Sequence, residues 1–312
     1  MAESWQNDSR FRLLSERTIA LRQIVIDKLL WFCREKGFLR FGDVEAKAFL
    51  AHVATGHTHD GGRWGNGKGT TPPRPWTAFR YFNETRMLLD YAVQQDMLEN
   101  NPLAELKPPQ IRKDQIVPFT ADQIESLLNA AEKSKSPKRN KAILLFLLDT
   151  GVRASELCDL RLENLDLQGM HAEVLGKGNK RREVYFNPEV GRALWAYLRQ
   201  DEREPTDPVF LCENGPGAGG PMTRNGLDQL LKRLGKEAGL TAVRCSPHTF
   251  RHTFAVEYLR AGGDALSLQR RLGHTTLAMT NNYVALAGAD LAEKHRMHSP
   301  AARFLGRKGS KR

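Results

Sequence analysis

Apolar residues return at helical spacing in three stretches of the first hundred residues: Arg17 to Glu35, Val44 to Ala54 and Trp76 to Gln95. Gly37 closes the first stretch and Asp43 stands where an N-cap would open the second, so this part of the chain is expected to fold as a small helical bundle. Between the second and third stretches the pattern is lost in "TGHTHDGGRWGNGKGTTPPRP", residues 55–75, whose glycines and prolines predict a mobile, basic loop. Gly62, Gly67 and Lys68 match most of a phosphate-binding G-x-x-x-x-G-K-[ST] loop. The match fails at its chemistry: Gly69 replaces the Ser or Thr that holds magnesium, and Pro72, Pro73 and Pro75 bar the helix that should follow.

Periodicity is lost again in "LKPPQIRKDQIVPF", residues 106–119, which predicts a connection between two domains. The first domain is placed at 1–107, the linker at 108–119 and the second domain at 120–312. Thr120 and Gln123 form a capping box for a helix to Ala131. Beyond it are a buried helix from Lys141 to Asp149, another from Arg153, and a hairpin whose strands "HAEVLG" and "RREVYF" flank the turn Gly176-Lys177-Gly178-Asn179. Asn187 and Pro188 open a further helix as N-cap and first-turn residue. The remainder reads as helical apart from the short piece "VFL" at 209–211, with no internal repeat. The predicted class is mainly α with one small β-sheet.

The 312 residues suffice for two domains that each bury a core. The formal charge of +11 suits a polyanionic partner such as nucleic acid. The longest apolar run, Ala142 to Leu148, is too short to span a bilayer, and the first ten residues lack a signal-peptide pattern, so a cytoplasmic protein without membrane contact is expected. Cys33, Cys158, Cys212 and Cys245 are scattered without a C-x-x-C pair, which favours reduced thiols filling the core over a zinc site.

Polar chemistry concentrates in the second half. The chain reads "TGVRASEL" at 150–157, "GKGNKR" at 176–181, "HTFRH" at 248–252, "LGH" at 272–274, and then Tyr283. Singly, each block has an ordinary structural explanation. In this order they resemble the catalytic signature of the tyrosine recombinase, or phage integrase, family in its two-domain, Xer-like form. "LLDYAVQQDMLENNPLAELKPP" at 88–109 is similar to the end of that family's N-terminal domain, and the likeness covers about residues 15 to 300. The resemblance implies a SAM-like helical core-binding domain followed by an α+β catalytic domain of the tyrosine recombinase type. It places Arg153, Lys177, His248, Arg251, His274 and Tyr283 in the active site, with no cofactor and no metal. It further implies double-stranded DNA as partner, a dimer on one site, a tetramer in synapsis and a nucleoid-associated location. Two departures leave the native DNA site open: the insertion at 55–75, and the lack of an arm-binding domain ahead of the bundle.

The residues support this reading on chemical grounds. His248 and His252 have the spacing of two zinc ligands on a helix, but Thr249 replaces the glutamate of H-E-x-x-H and Arg251 would repel a cation. A phosphate clamp fits better, because the planar fork of arginine gives parallel charge-assisted bonds to phosphate oxygens and keeps its charge. Tyr283 can store a cleaved DNA bond as a 3′-phosphotyrosine ester, so that rejoining needs no ATP. Nine residues of one straight helix would put His274 and Tyr283 on opposite faces, so the last helix is expected to begin after His274, with Thr275 or Thr276 as N-cap. Glu156, one turn after Arg153, reads as a buttress. Lys177 is the candidate general acid, with Lys180 as its rival. The tail, residues 294–312, carries seven Lys or Arg and no Asp or Glu, and is expected to act between subunits. A type IB topoisomerase and a non-catalytic DNA-binding protein of the same fold remain alternatives. The DNA target is not legible, and a mobile element is the favoured setting.

Overall fold

The computed structural model describes residues 1–58, 61–67, 69–111, 117–176, 180–213, 217–274, 276–287, 299 and 301. Helix α1 (Ala2–Phe11) has little apolar pattern, whereas α2 (Glu16–Glu35), α3 (Asp43–Ala54) and α4 (Pro75–Gln94) follow the three predicted stretches. The sequence pattern does not predict α1 because polar contacts hold it. Trp5 is its one large buried apolar side chain, and buried Arg22 of α2 lies 4.3 Å from that ring while donating to Ser9 Oγ at 2.6 Å. Trp5 joins Ile26, Leu29, Phe32, Phe49, Val53, Leu88 and Tyr91 in the core of the first of two compact units, Met1–Asp114. The N-cap of α3 is Gly42 and not Asp43: Glu45 reaches back to accept from the Gly42 N–H at 2.9 Å, and Asp43 instead pairs with Lys47.

The insertion at 55–75 differs from expectation. Its described residues form a packed structure, not a mobile basic loop. Arg63, the cation of its middle, is buried and donates to the carbonyl oxygens of Thr55 and Thr71. Trp64 packs edge-on to Trp31 (5.7 Å between centroids) and stacks on Tyr81 (5.9 Å). Gly62 has φ 98°, and a Cβ there would come within 1.6 Å of Asn66 O, so this turn needs glycine. Lys68 lies outside the described residues.

The second unit, Gln115–Arg312, opens with the predicted capping box: Thr120 Oγ1 accepts from Gln123 N, and Gln123 Oε1 from Thr120 N. Phe119, read from sequence as linker, is buried against Phe250. Helix α5 (Ala121–Glu132) leads to α6 (Pro137–Thr150), which starts earlier than the apolar run because proline is accommodated in a first turn, and then to the short α7 (Ala154–Cys158). A three-stranded antiparallel sheet follows, β1 (Leu165–Asp166), β2 (His171–Leu175) and β3 (Arg181–Tyr185), in the order β1-β2-β3. Its register pairs Ala172 with Val184 and Val174 with Arg182, so Arg182 shares the inward face of buried Ala172, Val174 and Val184. Strand β1, two residues long, was too short to read from sequence. Helices α8 (Pro188–Leu198), α9 (Arg224–Glu237), α10 (Pro247–Arg260), α11 (Ala265–Leu272) and α12 (Leu277–Ala287) complete the unit. Asn187 caps α8 as expected. The core runs through Phe146, Phe210, Leu231 and Phe250. Helix α10 packs against α6, α9, α11 and α12, and buries eight of its residues, Arg251 among them. Among the described residues no helix is long and apolar enough to cross a membrane.

Candidate active site

Two helix ends build the floor of the site. Helix α6 stops at Gly151, whose φ of 58° lies in the left-handed region, and a Cβ there would come within 2.4 Å of Phe254 Cδ1. Glycine therefore lets α10 pass close to the α6 terminus, and Gly151 O accepts from Arg251 Nη1 at 2.8 Å. Helix α11 ends at Gly273, and three successive carbonyl oxygens at its end each take one guanidinium. Arg271 O accepts from Arg182 Nε (2.8 Å), Leu272 O from Arg251 Nη2 (2.6 Å) and Gly273 O from Arg153 Nη2 (3.0 Å). Carbonyls at a helix C-terminus lack intrahelical partners and carry the negative end of its dipole, which is why three cations gather there.

Arg153 and Arg251 differ in exposure. Arg153 is the N-cap residue of α7 with its side chain 31% exposed, whereas Arg251 is 3% exposed. Burial, and then the charge of Arg153, lowers the Arg251 pKa to about 10, which still leaves it charged at neutral pH. The bonds to Gly151 and Leu272 use two of its five donors, and the bonds to Glu156 and Gly273 use two of those on Arg153, so both forks keep N–H groups for a ligand. Glu156 buttresses the pair from below, as expected.

Tyr283 of α12 is 5% exposed. Burial raises the pKa of its phenol, and the charges of Arg251 and Arg153 partly oppose that. Two imidazoles flank its ring: His274 lies nearly parallel (6.0 Å, 12°) and His252 is edge-on (4.9 Å, 62°). Helix α12 begins at Leu277, after His274, which resolves the nine-residue offset. His274 Nδ1 is 3.0 Å from Thr280 Oγ1, and burial followed by the charges of Arg251, Arg153 and Arg182 lowers its pKa to about 4. That of His252 is lowered to about 4 by burial, then by His248 and Arg251. His248, exposed at the rim and 5.3 Å from His252, is shifted downward by partial desolvation and by Arg251, Arg244 and Arg153.

One cleft of about 240 Å³ is lined by five of the six expected residues, Arg153, His248, Arg251, His274 and Tyr283, and also by His252. Lys177, the sixth, lies outside the described residues, as do Thr275 and nearly all of the basic tail. The Gly176 N–H donates to Lys180 O at 2.8 Å at the base of the hairpin turn, and Lys180 is exposed. Sequence reasoning missed two residues here. Arg182 was hidden in the basic run Lys180-Arg181-Arg182, although strand alternation with Val184 points it inward; His252 was hidden beside Arg251, and only the contact between α10 and α12 reveals it. Among the described residues no group of three or more His, Cys, Asp or Glu gathers as a metal site. A pocket of fixed guanidinium groups with uncharged imidazoles around a buried phenol can bind a phosphodiester, stabilise added negative charge on it, and present a nucleophile.

The model of the Phage integrase family matches residues 118–289. Tyrosine recombinase XerC of Leptospira interrogans is 28% identical over 298 residues, covering 93% of this chain and 89% of that protein. XerC of Staphylococcus haemolyticus is 32% identical over 232 residues, covering 73% and 76%. Among solved structures, the Tn1549 transposon integrase in complex with transposon right end DNA matches with a TM-score of 0.70 at 22% identity, over 95% of this chain and 98% of that one, a likeness of fold.

Proposed function

The chain belongs to the phage integrase family of tyrosine recombinases, and we propose that Tyr283 is the nucleophile with which it cleaves and rejoins DNA. It is a DNA strand transferase acting in site-specific recombination on double-stranded DNA, as a homo-oligomer that is a dimer on one site and a tetramer when two sites are paired. We assign its setting to the cytoplasm, at the nucleoid, in the service of a mobile element, a reading supported by the insertion at 55–75 that departs from the family pattern.

In the proposed step Arg153 and Arg251 grip the non-bridging oxygens of the scissile phosphate. Tyr283 Oη attacks phosphorus, the bond to the 5′ oxygen breaks, and a 3′-phosphotyrosine forms. The phenolic proton passes to an uncharged imidazole of the cleft, and Lys177 protonates the departing 5′ oxygen. Attack by a 5′ hydroxyl on the ester reverses the step and rejoins the strand. The charge developing at phosphorus is met by fixed cations, and loss of one such preorganised donor costs roughly 10²–10³ in rate. The observation that supports this reading most is the placement of Tyr283, itself buried, in one cleft with Arg153, His248, Arg251 and His274, drawn from four separate segments of the chain.

A double-stranded oligonucleotide selected from a random pool by the chain itself, and nicked beside the scissile phosphate, tests it. On a denaturing gel the wild-type protein should give a DNA-linked band, with or without excess EDTA, and Tyr283→Phe should bind the same DNA and give none. A band from Tyr283→Phe would overturn the assignment.

A further inference from the structure

Glu156 is 1% exposed and its carboxylate is bonded on both oxygens. Oε1 accepts from Arg153 Nη1 (2.7 Å) and Arg182 Nη1 (2.6 Å); Oε2 accepts from the Arg153 backbone N–H (2.7 Å) and Arg182 Nη2 (2.8 Å). Burial works to raise its pKa, but the hydrogen bonds and charge of Arg182, and then those of Arg153, bring it to about 2. One permanent anion thus serves two guanidinium groups, and it serves them unequally. Arg182 engages both oxygens, the stronger geometry, while the Arg153 side chain keeps a single bond. Their exposures differ accordingly: the Arg182 side chain is 13% exposed and that of Arg153 31%, so the first is packed inward and the second opens to the cleft.

From this geometry we infer that Arg182 is a positioning residue for the phosphate clamp: by holding Glu156 in the two-oxygen mode it keeps Arg153 from closing onto that carboxylate, and leaves the Arg153 fork positive and free for phosphate. The inference rests on the reading of Arg153 as a phosphate ligand. Two further contacts fix Arg182 in this task. Its Nε donates to Arg271 O at the end of α11, and the backbone of Gly176 covers the pair, since a Cβ there would sit 3.6 Å from both Arg182 Nη1 and Glu156 Oε1. Strand β3 sets the orientation, because alternation places Arg182 on the inward face with Val184. Without Arg182 the buried carboxylate would face Arg153 alone, the two would form a neutral pair, and a phosphate would have to displace a carboxylate already bound to the fork.

The test measures the rate of covalent adduct formation and the affinity for the same nicked oligonucleotide, in wild type, Arg153→Ala, Arg182→Ala, Arg182→Lys and the double variant Arg182→Ala/Glu156→Gln. Arg182→Ala should slow the adduct by about 10²-fold with DNA affinity little changed, as expected for a lost preorganised donor. Arg182→Lys should recover part of the rate, because an ammonium cannot bridge both oxygens as the fork does. The double variant should be faster than Arg182→Ala by at least about tenfold, since a neutral amide cannot hold Arg153 as an ion pair. A purely structural arginine would show no such recovery. The inference is overturned if Arg182→Ala cleaves at the wild-type rate, or if the double variant, melting as the wild type does, is no faster than the single one. Should alanine at this position prevent folding, Arg182→Lys decides alone, and a wild-type rate overturns the inference. If the wild-type chain gives no adduct, or Arg153→Ala gives it at full rate, the reading of the clamp itself fails, which is a separate result.

Discussion

Tyr283 stands between two imidazoles that burial and arginine charge keep unprotonated. With pKa values of about 4 in the folded protein against about 6.5 in an unfolded chain, His252 and His274 refuse protons that the unfolded state accepts. Their contribution to stability is therefore complete above about pH 6.5 and declines as pH falls towards 4. Urea unfolding at pH 5.5 should show a loss of about 1 kcal/mol per histidine relative to pH 7.5, discounted for partial exposure, and His252→Gln should flatten that dependence. An unchanged midpoint between these pH values would contradict the placement of the rings. Lys177 is tested by chemistry: replacing the bridging 5′ oxygen by sulfur gives a leaving group of pKa about 8.5 in place of about 15, which departs without an acid. Lys177→Ala should be crippled on the oxygen substrate and largely rescued on the sulfur one, while equal slowness on both would make its role positional. At this scale the sequence showed which side chains carry the chemistry but not their supports. Arg182 and His252 acquire meaning only from register and packing that bring β3, α11 and α12 to the same place.

Helix ends organise the site. The end of α11 offers three successive carbonyl oxygens to three arginines, and the end of α6 offers a fourth contact to Arg251 through Gly151 O. Gly151→Ala should therefore damage two things at once. Its positive φ and a Cβ 2.4 Å from Phe254 Cδ1 imply roughly 2–4 kcal/mol of lost stability, read as a lower urea midpoint. Displacement of Gly151 O should also slow adduct formation more than it weakens DNA binding; a variant with wild-type midpoint and rate would contradict this account of the α6 terminus. Elements with strong local signals were legible in the sequence, as with the Thr120 capping box, the Asn187 cap and the break after His274. Those held by distant partners were not. Helix α1 depends on Arg22 reaching Trp5 and Ser9, β1 on pairing with β2, and the 55–75 insertion on seating Trp64 against Trp31 and Tyr81.

At the scale of the whole molecule, the chain builds two units, each with its own core of aromatic and aliphatic side chains, and carries a formal charge of +11. That surplus favours association with a polyanion but cannot name a sequence, because phosphate contacts position a protein while base contacts and DNA shape specify it. The class of partner was thus readable from composition, and the chemistry from five spaced blocks; the DNA target was readable from neither. The central claim is that this chain holds the cleaved strand as a 3′-phosphate ester on Tyr283. It is tested most directly by trapping the covalent complex on nicked DNA in the presence of EDTA, digesting it with nuclease and trypsin, and sequencing the nucleotide-bearing peptide by mass spectrometry. The account predicts a 3′-linked nucleotide remnant on Tyr283 within the tryptic peptide spanning residues 272–294. A remnant on any other residue, or one joined through a 5′ phosphate, would contradict it.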